Sequence, residues 1–159
     1  MTERNALITG GAGFIGSHLA EALVGLGYRV TVIDDLSTGN LANIDILAGD
    51  ERFRYVVDSI RNETLMDKLV AESDLVFHLA AAVGVELIIQ DPVRVMETNI
   101  LGTEVVLRMA SRHRKKVLLT STSEVYGKNE QIPFSEDDDR LLGPTNKSRW
   151  SYATSKAAD

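Results

Sequence analysis

Hydrophobic and polar positions along this chain alternate between two periods. Asn5 to Thr9 is a short apolar run that stops at a cluster of glycines, Gly10, Gly11, Gly13 and Gly16. A run bounded in this way predicts a buried strand. From Phe14 to Leu26 the apolar residues Ile15, Leu19, Leu23 and Leu26 return at helical spacing, and Gly27 supplies a stop. Arg29 to Ile33 is β-branched and predicts a second strand, with Asp34 at its end and turn chemistry from Ser37 to Asn40. Phe53 to Val57 predicts a third strand, followed by Asp58, and Glu63 to Ala71 a short helix. Leu75 to Leu79 predicts a fourth strand, which runs into the small residues Ala80 to Ala82. Pro92, with Asp91 as its cap, opens a long helix to about Arg112 that carries Val95, Ile100, Val105, Val106 and Met109. Lys116 to Leu119 predicts a fifth strand. Residues 127–149 are polar and irregular, and a further helix begins near Trp150 or Ser151.

Strands alternating with helices predict an α/β fold: a Rossmann-like, doubly wound parallel sheet with helices on both faces. The 159 residues suffice for one such domain over 1–159. No apolar stretch is long enough to span a bilayer, and Ala6 to Ile8 run straight into glycines rather than forming a leader. The expectation is a cytoplasmic protein with no membrane partner. The chain has no cysteine, which excludes disulfides, thiolate catalysis and Cys-based zinc sites. His18 and His113 lack partners at metal-ligand spacing, so no metal is expected, and His78 reads as a packed core histidine. A net charge of −6 argues against nucleic acid as a partner. It does not argue against an anionic small ligand, because helix N-terminal amides hold phosphate without side-chain charge.

The glycines carry the first chemistry. Residues 8–16 read ITGGAGFIG, between a strand and a helix. Gly10 permits the tight turn, Gly13 lets main chain approach a pyrophosphate, and Gly16 lets the helix pack closely on the sheet. Asp34 follows Gly16 by 18 residues, at the end of the second strand. Its carboxylate suits ribose hydroxyls and repels a 2′-phosphate, which predicts NAD rather than NADP. The competing reading is that Asp34 caps a turn with Asp35.

Tyr152 and Lys156 are four residues apart and share a helix face. Tyrosine is a poor base at its ordinary pKa of about 10. A nearby ammonium and a cationic nicotinamide both favour the phenolate. The fifth strand ends in hydroxyl residues, Thr120 to Ser123, at the end of the sheet where such folds bind ligands.

Together, TGGAGFIGSHL, Asp34, Asp58, HLAA at 78–81, Asn99, STSEVYG at 121–127 and YATSK at 152–156 resemble the extended short-chain dehydrogenase/reductases of the NAD-dependent epimerase/dehydratase family. The resemblance implies NAD as cofactor. Gly10, Gly13, Phe14, Ile15 and Gly16 would line the pyrophosphate. Asp34 would hold the ribose with Asn40 nearby, and Asp58 and Ile60 would meet adenine. Leu79, Ala80 and Ala81 would pass under the cofactor, Asn99 would organise the site, and Thr120 would lie near the nicotinamide ribose. Tyr152 would be the base, Lys156 would bind ribose and depress the tyrosine pKa, and Thr122 would bond the reacting sugar hydroxyl. Val83 and Gly84 would fall on the substrate side. Arg149 is either an anion contact there or a surface arginine in a polar loop.

The shared first step of the family is oxidation at C4 of a nucleotide sugar. The pair Ser123-Glu124 stands where sugar dehydratases show Asp-Glu, which demotes dehydration. Thr-Ser-Glu and the segment GPTNKSRWSYATSK are similar to UDP-glucuronate decarboxylases, with Glu124 a base or a solvated loop acid. HLAAAVGVE is similar to UDP-hexose 4-epimerases, although some place a lysine where Val83 stands. These features rank a UDP-hexose or UDP-hexuronate epimerase first and a decarboxylase second, with a non-catalytic NAD-binding module as the reading of another class. The resemblance further implies a homodimer at full length. It also implies that the chain stops before the substrate domain, so it is expected to turn over little. A steady-state assay beside a longer form checks this, and equal activity would refute it.

Overall fold

The computed structural model describes residues 4–159. In chain order the elements are β1 (Asn5–Thr9), α1 (Phe14–Gly25), β2 (Arg29–Asp34), β3 (Phe53–Val57), α2 (Glu63–Glu72), β4 (Leu75–His78), α3 (Val85–Gln90), α4 (Pro92–Met96), a π-helical segment (Glu97–Leu101), α5 (Gly102–Arg112), β5 (Lys116–Leu119) and α6 (Trp150–Ala158). They divide into two compact units. One runs to Ala80 and includes Gly102–Thr120; the other comprises Ala81–Leu101 and Ser121–Asp159.

The first unit holds the sheet, which is parallel throughout in the order β3-β2-β1-β4-β5. Period-two alternation sorts its residues between two cores. Leu7, Ile33 and Val76 face Met66 and Val70 of α2 and Val106 and Met109 of α5. Ala6, Ile8, Val30 and Val32 face Ala20, Leu23 and Val24 of α1. Leu7, Ile8 and Ile33 are each 0% exposed, and full burial of such a side chain stabilises by about 1.5–3 kcal/mol. This is the doubly wound architecture expected from the pattern. The sheet order reverses between β1 and β4, and in such folds the crevice at that reversal is where ligands bind.

Local signals set the helix ends. Asn62 accepts the N–H of Leu65 at 3.2 Å and starts α2. Asp91 accepts that of Arg94 at 3.0 Å and starts α4. Gly27 takes φ +84° after α1, as its predicted stop requires.

The second unit has a smaller core of Ala82, Ile88 and Val95, with Leu87 and Tyr152 against it. Two of its features depart from the pattern. α3 was not foreseen, and the single helix expected from Pro92 to Arg112 is interrupted by the π-helical segment. Residues 127–149 are irregular, as expected, but anchored. Lys128 N–H donates to Leu141 O at 2.7 Å, Leu141 N–H to Tyr126 O at 3.2 Å, and the Tyr126 ring stacks on Phe134 at 4.8 Å. No described helix is long and apolar enough to cross a membrane.

Two glycines of α1 give a paired test. A Cβ on Gly25 meets nothing within 4 Å, whereas one on Gly16 runs into Gly10 O and Gly11 Cα. Gly25→Ala is expected to stabilise by about 0.5–1 kcal/mol. Gly16→Ala is expected to destabilise by about 1–3 kcal/mol. Urea unfolding of both variants checks the pair, and equal effects would refute the packing difference.

Candidate functional site

In the first unit, the chain turns sharply after β1. Gly10 has φ +70°, and a Cβ there would lie 2.7 Å from Ala80 N. Gly10 is therefore required by conformation and by the close passage of the chain leaving β4. Gly11, outside the expected triplet, presses on Val32 of β2, where a Cβ would sit 2.5 Å from its methyls. Gly16 packs on the loop itself rather than on the sheet. The first helical bond of α1 is Ser17 N–H to Gly13 O at 3.0 Å. The amides of Phe14, Ile15 and Gly16 thus precede the helix ladder. Gly13 offers no side-chain cap, and the first turn of α1 has no acid. Such an end suits an anion.

Asp34 organises the loop around this end. Its carboxylate accepts Ala12 N–H and Leu36 N–H, each at 2.9 Å. Ala12 O in turn accepts Asn40 N–H at 3.0 Å and Asn43 Nδ2–H at 2.8 Å. Asp34 thus caps the turn that follows β2 and also fixes the glycine loop. The Asn40 side chain itself caps the next turn, accepting Ala42 N–H at 3.0 Å. Asp58 accepts Ser59 N–H at 2.7 Å and Asn62 Nδ2–H at 2.9 Å. Ile60 is buried, with its side chain pressed against Gly102 of α5. Only its main chain is left to meet a ligand. Thr120 donates its hydroxyl to His78 O at 3.3 Å.

In the second unit, Asn99 sits in the π-helical segment and is 1% exposed. Its Oδ1 accepts Ala82 N–H at 2.7 Å; its Nδ2 donates to Ala82 O at 3.2 Å and to Ser155 Oγ at 3.1 Å. Ser155 donates to Tyr152 O at 2.8 Å. One amide therefore ties the segment after β4 to the helix that carries Tyr152 and Lys156. Ser155 was missed in the sequence. Its signal was its position between the two, three residues after Tyr152, where a helical hydroxyl reaches back to a carbonyl.

The Tyr152 hydroxyl bonds Thr122. Thr122 caps the turn Ser123–Tyr126 by accepting Glu124 N–H at 3.3 Å, and Ser123 and Glu124 are exposed. Val83 and Gly84 are also exposed. Arg149 stacks on the indole of Trp150, 4.6 Å from its centroid, with Lys128 at 5.8 Å from the same ring. Lys156 departs from expectation: its ammonium is engaged by Asp159, and both side chains are buried. The sequence reading gave that charge to Tyr152.

A family model described as GDP-mannose 4,6 dehydratase matches residues 7–159. The chain belongs to this family. Among its relatives, the UDP-N-acetyl-alpha-D-glucosaminuronate decarboxylase of Bacillus cytotoxicus is 47% identical over 99% of this chain and 48% of that protein. UDP-glucuronic acid decarboxylase 1 of Danio rerio is 39% identical over 84% of this chain and 31% of that protein. A solved UDP-N-acetylglucosamine 4-epimerase from Methanobrevibacter ruminantium superposes with TM-score 0.87 at 31% identity, covering 99% of this chain and 48% of that one. The NAD-bound dTDP-glucose 4,6-dehydratase DesIV of Streptomyces venezuelae gives TM-score 0.85 at 34% identity, covering 97% and 48%. The chain thus spans half or less of the length of these family members.

Within this member of the family, burial pushes the Tyr152 pKa above its ordinary value. The Thr122 hydrogen bond pulls it back, and the carboxylates of Glu124 and Asp159 raise it further. A raised folded pKa means that the stability tied to this group is intact below about pH 10 and is lost as pH rises through the folded pKa. In the NAD-free chain, the phenolate absorbance step removed by Tyr152→Phe is therefore expected above about pH 10. Asp159→Asn, which removes one opposing charge, is expected to move the step down. A Tyr152 step at or below the ordinary value would refute this account.

Proposed function

We propose that this chain is the cofactor and proton-transfer part of an NAD-dependent decarboxylase of a UDP-linked hexuronate. The observation that carries the reading is the grouping of the Tyr152 phenol, the Thr122 hydroxyl and the Glu124 carboxylate in one unit. The names of the decarboxylases at 47% and 39% identity add support. On that support we place decarboxylation ahead of epimerisation, which the sequence ranked first.

The residues present fit a dinucleotide. The turn at Gly10 excludes any Cβ, the N-terminus of α1 is uncapped, and Asp34 anchors the loop while each carboxylate oxygen keeps a further lone pair for a ribose hydroxyl. Gly10, Gly13, Phe14, Ile15 and Gly16 would hold the pyrophosphate through main chain. Asp34 would take the adenosine ribose, and Asp58 and the Ile60 main chain the adenine. Leu79, Ala80, Ala81, Asn99 and Thr120 would complete the nicotinamide side. Bound NAD supplies a hydride acceptor for sugar C4.

Tyr152 takes the proton of the C4 hydroxyl onto its phenolic oxygen. Thr122 donates to that oxygen and steadies the phenolate form that must precede this transfer. Lys156 would leave Asp159 to bind ribose, and its ammonium would then favour the phenolate. With C4 oxidised, the C6 carboxylate is β to a ketone, so the C5–C6 bond breaks, carbon dioxide departs and the electrons pass to the enolate. Glu124 then acts as the acid–base group beside the sugar. Arg149, if released from Trp150, is suited to an anionic group of the substrate.

The epimerase reading is favoured by the solved relative with TM-score 0.87. The test uses the full-length protein with NAD and UDP-glucuronate or UDP-N-acetylglucosaminuronate labelled with ¹³C at C6. Labelled carbon dioxide is expected. Tyr152→Phe is expected to lower kcat by about 10²–10⁴-fold, and Glu124→Gln by about 10²-fold. Inversion at C4 with the label retained would overturn decarboxylation in favour of epimerisation. NAD binding without any sugar oxidation would leave a binding module.

A further inference from the structure

Thr9 and His78 end β1 and β4, the two strands between which the sheet order reverses, and their side chains meet in the interior. Thr9 Oγ1 lies 2.7 Å from His78 Nδ1, and His78 Nε2 lies 2.9 Å from Thr103 Oγ1 on α5. The three residues are 0%, 1% and 3% exposed respectively. The β1–β4 pairing ends at Thr9 and His78, so beyond it a main-chain N–H needs another acceptor. The N–H of Ala80 donates at 3.2 Å to that same Thr9 hydroxyl. Ala80 is also the residue whose main chain crowds Gly10, its N and Cα standing 2.7 and 2.8 Å from where a Cβ would be.

We propose that Thr9 is a positioning residue for the dinucleotide-binding end: steered by His78, its hydroxyl fixes the Ala80 main chain against the Gly10 turn. The inference rests on the reading of that end as a cofactor site. Proton counting gives the direction of the bonds. A threonine hydroxyl has one proton. Thr9 accepts from Ala80, and the acceptor that stands within reach of its own proton is His78 Nδ1. The histidine then carries its ring proton on Nε2 and donates to Thr103. The opposite tautomer leaves the buried Thr9 proton to find some other acceptor. Core packing alone needs neither the hydroxyl on Thr9 nor a defined tautomer on His78.

The experiment uses this chain, with NAD affinity by calorimetry, Ala80 amide exchange by NMR, and thermal unfolding. Thr9→Val is expected to weaken NAD binding about tenfold, equivalent to about 1.4 kcal/mol, and to accelerate Ala80 exchange. Thr9→Ser restores both. Thr103→Val also removes a buried bond from His78 and lowers Tm, but leaves Ala80 protected and NAD affinity within about twofold. Equal weakening by Thr9→Val and Thr103→Val, or none by Thr9→Val, overturns the proposal. If the wild-type chain binds no NAD while Thr9→Val still frees the Ala80 amide, the cofactor reading fails and the positioning of Ala80 stands. Should Thr9→Val not fold, the ¹⁵N shifts of the wild-type His78 ring decide. A proton on Nε2 supports the arrangement, and one on Nδ1 overturns it.

Discussion

The turn after β1 and the chain leaving β4 pass too close for any side chain between them. Gly10 meets that constraint with a positive φ and no Cβ, and Ala80 supplies the opposing main chain. The rest of the first unit is arranged around this approach. Gly11 brings the loop down onto Val32, and Gly16 lets the first turn of α1 close over Gly10 and Gly11. The helix therefore begins immediately, before any residue has offered a cap, and its free amides stay at the loop. Asp34 reaches back from the end of β2 to hold Ala12, so the loop is tied to the neighbouring strand as well as to its own. Four short-range requirements converge on a few residues. A Cβ at Gly10, Gly11 or Gly16 would break at least one of them.

The second unit depends on a different kind of tie. Its apolar core is small, and polar bonds supply much of its definition. Asn99 uses both ends of one amide to hold Ala82 and, through Ser155, the first turns of α6. A buried amide bound at both ends resists displacement, since any shift leaves a donor or acceptor unpaired. Its place in a π-helical segment is consistent with this. An extra residue in the turn re-aims a side chain that an uninterrupted helix would point elsewhere, and such segments recur at functional sites.

What was legible in the sequence was whatever short-range pattern dictates. All five strands follow from β-branched or apolar runs with turn residues at their ends. The start of α4 follows from Asp91-Pro92, and the glycine loop from spacing. Events settled by tertiary contact were not legible. Residues 83–90 show no helical period, and α3 exists because Ile88 finds Ala82 and Val95. The packing of the Ile60 side chain into the core above Gly102 was one of these. The stacking of the Arg149 guanidinium on the adjacent Trp150 ring was another. The Lys156–Asp159 pair escaped notice because spacing says which residues share a helix face, not which partner an ammonium prefers.

That last pair bears on what Tyr152 can do. Removing a hydroxyl proton near neutral pH calls for a phenolate, and the surroundings of Tyr152 disfavour one. Burial raises its pKa, and Glu124 and Asp159 oppose a further negative charge, with only the Thr122 hydroxyl acting the other way. Lys156 is on the same helix, but its charge is neutralised by Asp159. The NAD-free chain therefore holds Tyr152 as a neutral phenol. On the proposed reading of Tyr152 as the base, a positive charge brought close to it would favour the phenolate. On that reading, a cationic hydride acceptor would also make the base competent. Loss of the proton and loss of the hydride would then be coupled by electrostatics.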